Sequence, residues 1–238
     1  MSPVAVITGA TKGLGRALSY ELVAHGYAVA GCGTSAAAVA AASERLGPSA
    51  SLRVVDVADA DAVSAWAGHV VAELGAPDLV IANAGVVNSP APIWALDAST
   101  FASALAVNVG GVANLARAYL PAMIARGSGT FVAMSSGWGR RGKEGLSPYC
   151  ASKFAVEGLV QSVALEVPDP LRVVSLDPGN GVRTAMLDTC LPDERHIAYP
   201  SPAAWASQAI GYLLDDVLRA PNGSALKVPG IRVAEAMR

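Results

Sequence analysis

At 238 residues the chain is long enough for one large α/β domain, read here as a single unit spanning 1–238. A net charge of −2 excludes strong attraction to nucleic acid or to an acidic membrane surface. The three cysteines, Cys32, Cys150 and Cys190, are widely spaced and form no CxxC, which excludes a disulfide framework or a structural metal site and points to a reducing compartment. No basic stretch precedes an apolar core near Met1, so no signal peptide is expected and the reading is cytoplasmic. The uncharged run Leu79–Leu96 is broken by Asn, Gly and Pro and does not read as a membrane span. Asn222-Gly223-Ser224 reads as a turn.

Val4-Ala5-Val6-Ile7 is a continuous apolar run, as expected of a strand buried on both faces. Gly9, Gly13 and Gly15 follow in G-x-x-x-G-x-G spacing, with Thr11, Lys12 and Leu14 between them, and lead into a helix reaching about His25. Glycines let the backbone approach a pyrophosphate, and the N–H groups of a helix start favour its charge. Tyr27–Ala30 reads as the second strand and Ser35–Leu46 as an alanine-rich helix. Leu52–Val55 reads as the third strand, followed by Asp56-Val57, where Asp56 is either a cap or a ligand contact. Asp59–Leu74 is helical, and strand four, Leu79-Val80-Ile81, runs into Asn83-Ala84-Gly85. The stretch from Val86 to Ala98 is irregular, and its Trp94 either lines a pocket or anchors the loop. A long helix is expected from Ser99 to about Arg126, with Asn108 inside it. Val132-Ala133-Met134 is strand five and Val173–Leu176 strand six, the latter ending in Asp177-Pro178-Gly179. Ser201–Leu218 is an amphipathic helix and Ala225–Val228 a closing strand. This alternation implies a parallel, doubly wound α/β sheet of the Rossmann class with right-handed crossovers.

The chemistry concentrates after strand five. Ser135 and Ser136 close that strand, and Ser147-Pro148-Tyr149 opens the next helix. Tyr149 and Lys153 are four apart, so they share a helix face with a rise of about 6 Å between Cα atoms. A free phenol has a pKa of about 10. The ammonium one turn away is expected to pull it down and make Tyr149 a proton donor and acceptor. Between Ser136 and Tyr149, Arg140, Arg141 and Lys143 form either a solvated loop or a lure for an anionic substrate.

Thr8-Gly9-Ala10-Thr11-Lys12-Gly13-Leu14-Gly15, Asn83-Ala84-Gly85, Ser136 and Tyr149-x-x-x-Lys153 together resemble the short-chain dehydrogenase/reductase family in its compact form. The resemblance covers nearly the whole chain. It implies a strand order of 3-2-1-4-5-6-7 and carbonyl–alcohol interconversion on a small molecule by hydride transfer. By the same resemblance Ser136 holds the substrate oxygen, Tyr149 moves the proton, Lys153 binds the nicotinamide ribose, and Asn108 supports Lys153 through water. Asp56 and Val57 would lie against the adenine, and Asn83, Ala84 and Gly85 on the adenosine side. The PGxVxT pattern of the family is met by Pro178, Gly179, Val182 and Thr184 with one extra residue. The region around 185–200 is a substrate lid in the family and a solvated loop on its residues alone; His196 within it is weighed as a catalytic group and set aside.

NAD-using relatives carry an acidic residue at the end of strand two. Here Gly33 stands there, with no carboxylate between Gly26 and Ser43, and Lys12 occupies a position that is often basic in NADP users. Thr34 replaces the arginine many of them have. NADP(H) is therefore expected over NAD(H). No metal, nucleic-acid or membrane partner is expected. By the resemblance, the small-residue helices around 102–125 and 149–167 pair between subunits, which implies a homotetramer or homodimer. Two rival readings are a nucleotide-binding sensor that has lost turnover and a same-fold isomerase or dehydratase.

Overall fold

Neighbouring residues of the central strands feed opposite helical layers, which is why these strands read as unbroken apolar runs. In the computed structural model, which describes residues 2–179, 181–192 and 199–230, seven strands form one sheet: β1 Val4–Thr8, β2 Ala28–Gly33, β3 Ala50–Val54, β4 Leu79–Ala82, β5 Thr130–Met134, β6 Arg172–Asp177 and β7 Ala225–Lys227. Their order is β3-β2-β1-β4-β5-β6-β7, as the family resemblance implied. Every adjacent pair is parallel.

On one face, Val6, Ala30, Val80, Phe131 and Val173 pack with Trp66, Leu115, Tyr119 and Val156. Those helical residues belong to α3 (Ala60–Leu74), α5 (Gly111–Arg126) and α6 (Ser147–Glu166). On the other face, Ala5, Ile7, Val29, Ile81, Val132 and Val174 meet Leu18, Leu22, Trp205 and Leu213. These come from α1 (Gly13–Ala24) and α8 (Pro202–Asp215). The remaining helices are α2 (Ala36–Leu46), α4 (Ala98–Leu105) and α7 (Ala185–Cys190). Ser35 caps α2, Asp59 caps α3, Thr184 caps α7 and Ser201 caps α8 with side-chain oxygens, satisfying N–H groups that lack intrahelical partners.

Three sequence expectations change. The second and third strands are displaced, β2 running on to Gly33 and β3 starting at Ala50. The expected single helix over 99–126 is instead α4 and α5 joined by one π turn, Ala106–Gly110, where Gly111 N–H bonds to Ala106 O. The helical run Ala98–Arg126 is long and apolar enough to cross a membrane. Its residues Val112, Leu115, Ala116, Tyr119 and Met123 are instead buried against the sheet. Trp94 neither lines the pocket nor anchors its loop; on the short turn Ile93–Ala95 it is 86% exposed.

All seven parallel strands end on the same edge. Because β1 lies between β2 and β4, the order of the sheet reverses there and leaves a crevice at the strand ends. Gly9, Asn83, Ser136 and Pro178 all follow those ends.

Candidate active site

The crevice begins at the glycine turn after β1. Lys12 precedes α1 without capping it, no acid sits in the first turn, and the first backbone bond is Arg16 N–H to Lys12 O at 3.2 Å. The earlier N–H groups thus have no intrahelical partner. Gly15 has no room for a side chain: a β-carbon would come within 2.3 Å of Gly9 O and 2.5 Å of Asn83 Nδ2. A bare backbone with unpaired N–H donors at a helix start fits a diphosphate. The neighbouring turn is bolted to it, since Thr8 Oγ1 accepts from Asn83 N–H and Ala84 N–H, both at 3.0 Å, and Asn83 Nδ2 donates to Thr8 O at 2.8 Å. Asp56 Oδ1 accepts from Ala58 N–H, a turn contact, while the helix cap is Asp59. Val57 O is held by Asn114 Nδ2 at 2.9 Å. Lys12 and Thr34 lie exposed at the ends of the first two strands.

A pocket of about 300 Å³ lies further along the same edge. It brings together Leu14, Ser136, Tyr149, Pro178, Gly179, Val182 and Thr184 from the sequence reading. Ser136 starts a short turn, Gly137–Gly139, and its Oγ accepts from Trp138 N–H at 3.2 Å. Thr184 stands across from the glycine turn, its Cγ2 lying 3.6 Å from where a β-carbon on Gly13 would be. Pro178 O accepts from Trp205 Nε1 at 2.8 Å, so the fully buried tryptophan of α8 pins the loop after β6. Asn180, His196 and the part of the expected lid at 193–198 lie outside the described residues. From the rest of that region, Met186, Leu187, Cys190, Leu191 and Tyr199 line the pocket.

Tyr149 is buried, with Trp138 packed edge-on at 6.1 Å between ring centroids. Lys153 lies behind it, Nζ 5.7 Å from the ring centroid and donating to Met134 O at 2.8 Å. The expected lowering of the phenol pKa is not what this arrangement produces. Burial pushes Tyr149 well above the ordinary phenol range, opposed by its hydrogen bond with Ser136 and reinforced by Asp177, Cys190 and Cys150. Burial also lowers the Lys153 ammonium to about 8, against a raising influence from Glu157. Desolvation outweighs the neighbouring charge at both groups, so the phenol is held as a proton donor.

Asn108 is fully buried in the π turn. Its Oδ1 accepts from Val86 N–H at 2.8 Å, and its Nδ2 donates to Val86 O and Ser152 Oγ, both at 2.9 Å. Its side chain thus ties the loop after β4 to α6, the helix that carries Tyr149 and Lys153. Of the loop cations, Arg140 is paired with Glu157 at 3.1 Å, Lys143 is exposed, and Arg141 lines the pocket.

Sequence reasoning gave no role to Trp138, Asp177, Glu157 or Lys227, and read α7 only as part of the lid region around 185–200. Glu157 carried one signal, a carboxylate four residues beyond Lys153 on the same helix face. Trp138 and Asp177 adjoin Ser136 and Pro178 in sequence, while Lys227 reaches the pocket only through the folding of a distant segment.

This geometry agrees with the matches to known proteins. The model of the family described as short chain dehydrogenase matches residues 3–195. The chain belongs to the short-chain dehydrogenase family. Among similar members is an NADPH-dependent pterin aldehyde reductase of Arabidopsis thaliana, 40% identical over 94% of this chain and 92% of the relative. A solved short chain dehydrogenase from Shigella flexneri, complexed with NADP, superposes with a TM-score of 0.85 at 25% identity, over 96% of this chain and 97% of that one. A 3-ketoacyl-(acyl-carrier-protein) reductase from Brucella melitensis, complexed with NADH, also gives 0.85 at 25% identity, over 95% and 96%. As a short-chain dehydrogenase the chain is an oxidoreductase.

Proposed function

We propose that the protein is an NADP(H)-dependent reductase interconverting an aldehyde or ketone and an alcohol on a small molecule. The observation that carries this reading is that Ser136 and Tyr149 line one pocket with Leu14, Pro178, Gly179, Gly181, Val182 and Thr184, with Lys153 buried behind the phenol. The nicotinamide cofactor, when bound, supplies the hydride. Ser136 Oγ accepts from Trp138 N–H and its hydroxyl is hydrogen-bonded to Tyr149, a bond the substrate oxygen would take over so that the serine proton stabilises the charge developing there. Tyr149 passes its proton to the same oxygen. Lys153 uses one of its three donors on Met134 O, leaving two for a ribose hydroxyl and for steadying the phenolate as it forms.

NADP(H) is favoured by the exposed Lys12 and by the end of β2, which offers no carboxylate. Gly33 there lies against Thr11, whose Cγ2 and Oγ1 would be 2.7 and 2.9 Å from a β-carbon. The name of the Arabidopsis relative points the same way. Its substrate, an aldehyde on a flat heteroaromatic ring, suits a pocket walled by Trp138, Met186, Leu187 and Tyr199. Self-association as a homodimer or homotetramer belongs to the same proposal.

The test is a panel of aldehydes, ketones and alcohols, a pterin aldehyde among them, followed by cofactor absorbance. Turnover of a carbonyl with NADPH is expected. Tyr149→Phe should cut that turnover by about 10²–10⁴-fold, the range for losing a positioned acid, with nucleotide affinity little changed. Absence of turnover with either cofactor across the panel, or a Tyr149→Phe protein that keeps most of its activity, would overturn the reading.

A further inference from the structure

Tyr149, Lys153 and Glu157 follow one another at four-residue intervals along α6, on the face turned to the sheet. Glu157 is 8% exposed, and both of its carboxylate oxygens are occupied. Oε1 accepts from Ser135 Oγ at 2.5 Å and from Arg140 Nε and Nη2, both at 3.1 Å. Oε2 accepts from Ser175 Oγ at 2.6 Å. Every partner is a donor, so the ionised carboxylate is the form that satisfies them all.

The positions of those donors are what matter. Ser135 immediately precedes Ser136, and its own N–H continues the ladder to Leu176 O at 2.8 Å. Arg140 closes the turn Gly137–Gly139 and also donates to Leu226 O on β7 at 3.0 Å. Ser175 lies on β6, two residues before the pocket residue Asp177. One carboxylate therefore joins the ends of β5 and β6 and the serine turn to the helix bearing Tyr149 and Lys153. Stability alone does not call for it, because an apolar side chain of similar volume avoids the cost of desolvating a buried ion.

We propose that Glu157 is a positioning residue of the reductase site, bracing the turn that presents Ser136 and supplying the negative charge that keeps Lys153 an ammonium. The proposal rests on the carbonyl reductase reading above. Among the described residues, the other ionisable groups around the Tyr149–Lys153 pair include Cys150 on the same helix, Cys190 on α7, Asp177 at the end of β6, and Arg141 and Lys227 on the pocket wall, with Arg140 beyond Glu157. Among the influences on Lys153 itself, Glu157 is the one that opposes burial.

Glu157→Gln keeps the shape and part of the hydrogen bonding while removing the charge, and Ser135→Ala keeps the charge while removing one strut. The first readout is the titration of Lys153 in the cofactor-free protein by NMR of ¹³Cε-labelled lysine. The chain has four lysines, Lys12, Lys143, Lys153 and Lys227, and Lys153→Met assigns the signal. Without the carboxylate charge the Lys153 midpoint should fall by about one unit. The second readout is the pH profile of kcat. Its alkaline limb, where Lys153 loses its proton, should move down by the same amount in Glu157→Gln. In Ser135→Ala kcat should fall about tenfold, as for a misplaced catalytic group, with the limb in place. A Lys153 midpoint unchanged in Glu157→Gln would overturn the proposal, as would a kcat limb that does not move. The NMR measurement needs no substrate, so a failure of this proposal is separable from a failure of the reductase assignment.

Discussion

Lys12 stands in solvent at the mouth of the glycine turn, with Thr34 exposed at the end of the neighbouring strand. A charge-assisted contact from that ammonium to a 2′-phosphate is worth roughly 1.5–3 kcal/mol. NADPH should therefore bind more tightly than NADH, and Lys12→Ala should remove most of the difference while leaving NADH affinity nearly unchanged. Titration calorimetry with both nucleotides checks this; equal dissociation constants in the parent protein would contradict it. Introducing the missing carboxylate at Gly33 requires Thr11 to give way, so Gly33→Asp is best made with Thr11→Ala. At this scale the shared helix face of Tyr149 and Lys153 was legible from their spacing, whereas Ser136 and the roles of all three came from the family motifs. The state of the phenol was legible in neither. Its acidity depends on burial by Trp138 and the α7 region, which no spacing within α6 reveals. Asn108 was visible as a polar residue in an apolar helix, but its partners Val86 and Ser152 became apparent only in three dimensions.

The glycine turn and α1 act as one element, because Gly15 packs directly on Gly9 and Asn83. Gly15→Ala sets a methyl group against a backbone oxygen that cannot move without opening the turn. A loss of roughly 1–3 kcal/mol in stability is expected, as for overpacked cores, together with loss of nucleotide binding. Gly68→Ala in the middle of α3 is the matched control. Nothing lies within 4 Å of its β-carbon position, so stability should rise by about 0.5–1 kcal/mol. Thermal melts and nucleotide titration of the two variants separate these outcomes. The strands were legible as elements because burial on both faces leaves apolar runs. The π turn was not: the 3.6-residue pattern from Ser99 to Arg126 gives no sign of it. Its cause is tertiary, since the widened turn carries Asn108 inward to bond with the loop after β4.

In the whole molecule, α4, α5 and α6 leave Leu105, Ile124, Phe154 and Leu165 exposed, the last at 90%. Apolar residues left uncovered on these helices fit self-association. A dimer or tetramer is expected by sedimentation at micromolar concentration, and Leu165→Glu with Phe154→Glu should shift it toward monomer. A parent protein that sediments as a monomer would contradict this. The sheet order was available from the family motifs, whereas the alternation of strands and helices alone indicates only a parallel, doubly wound class. The buried ammonium of Lys153 has a further consequence, for the relation between folding and acidity. Its folded pKa of about 8 lies below the ordinary 10.5, so it binds its proton more weakly in the folded chain. Below pH 8 both states are charged and the full desolvation penalty, on the order of a few kcal/mol, weighs on the fold. Between 8 and 10.5 the unfolded chain holds the proton and the folded chain does not, so this residue's contribution to stability rises with pH. On the mechanism proposed above, durability and turnover should run in opposite directions across that interval, because the charge assigned to steadying the phenolate is the one the folded interior holds less readily than the unfolded chain.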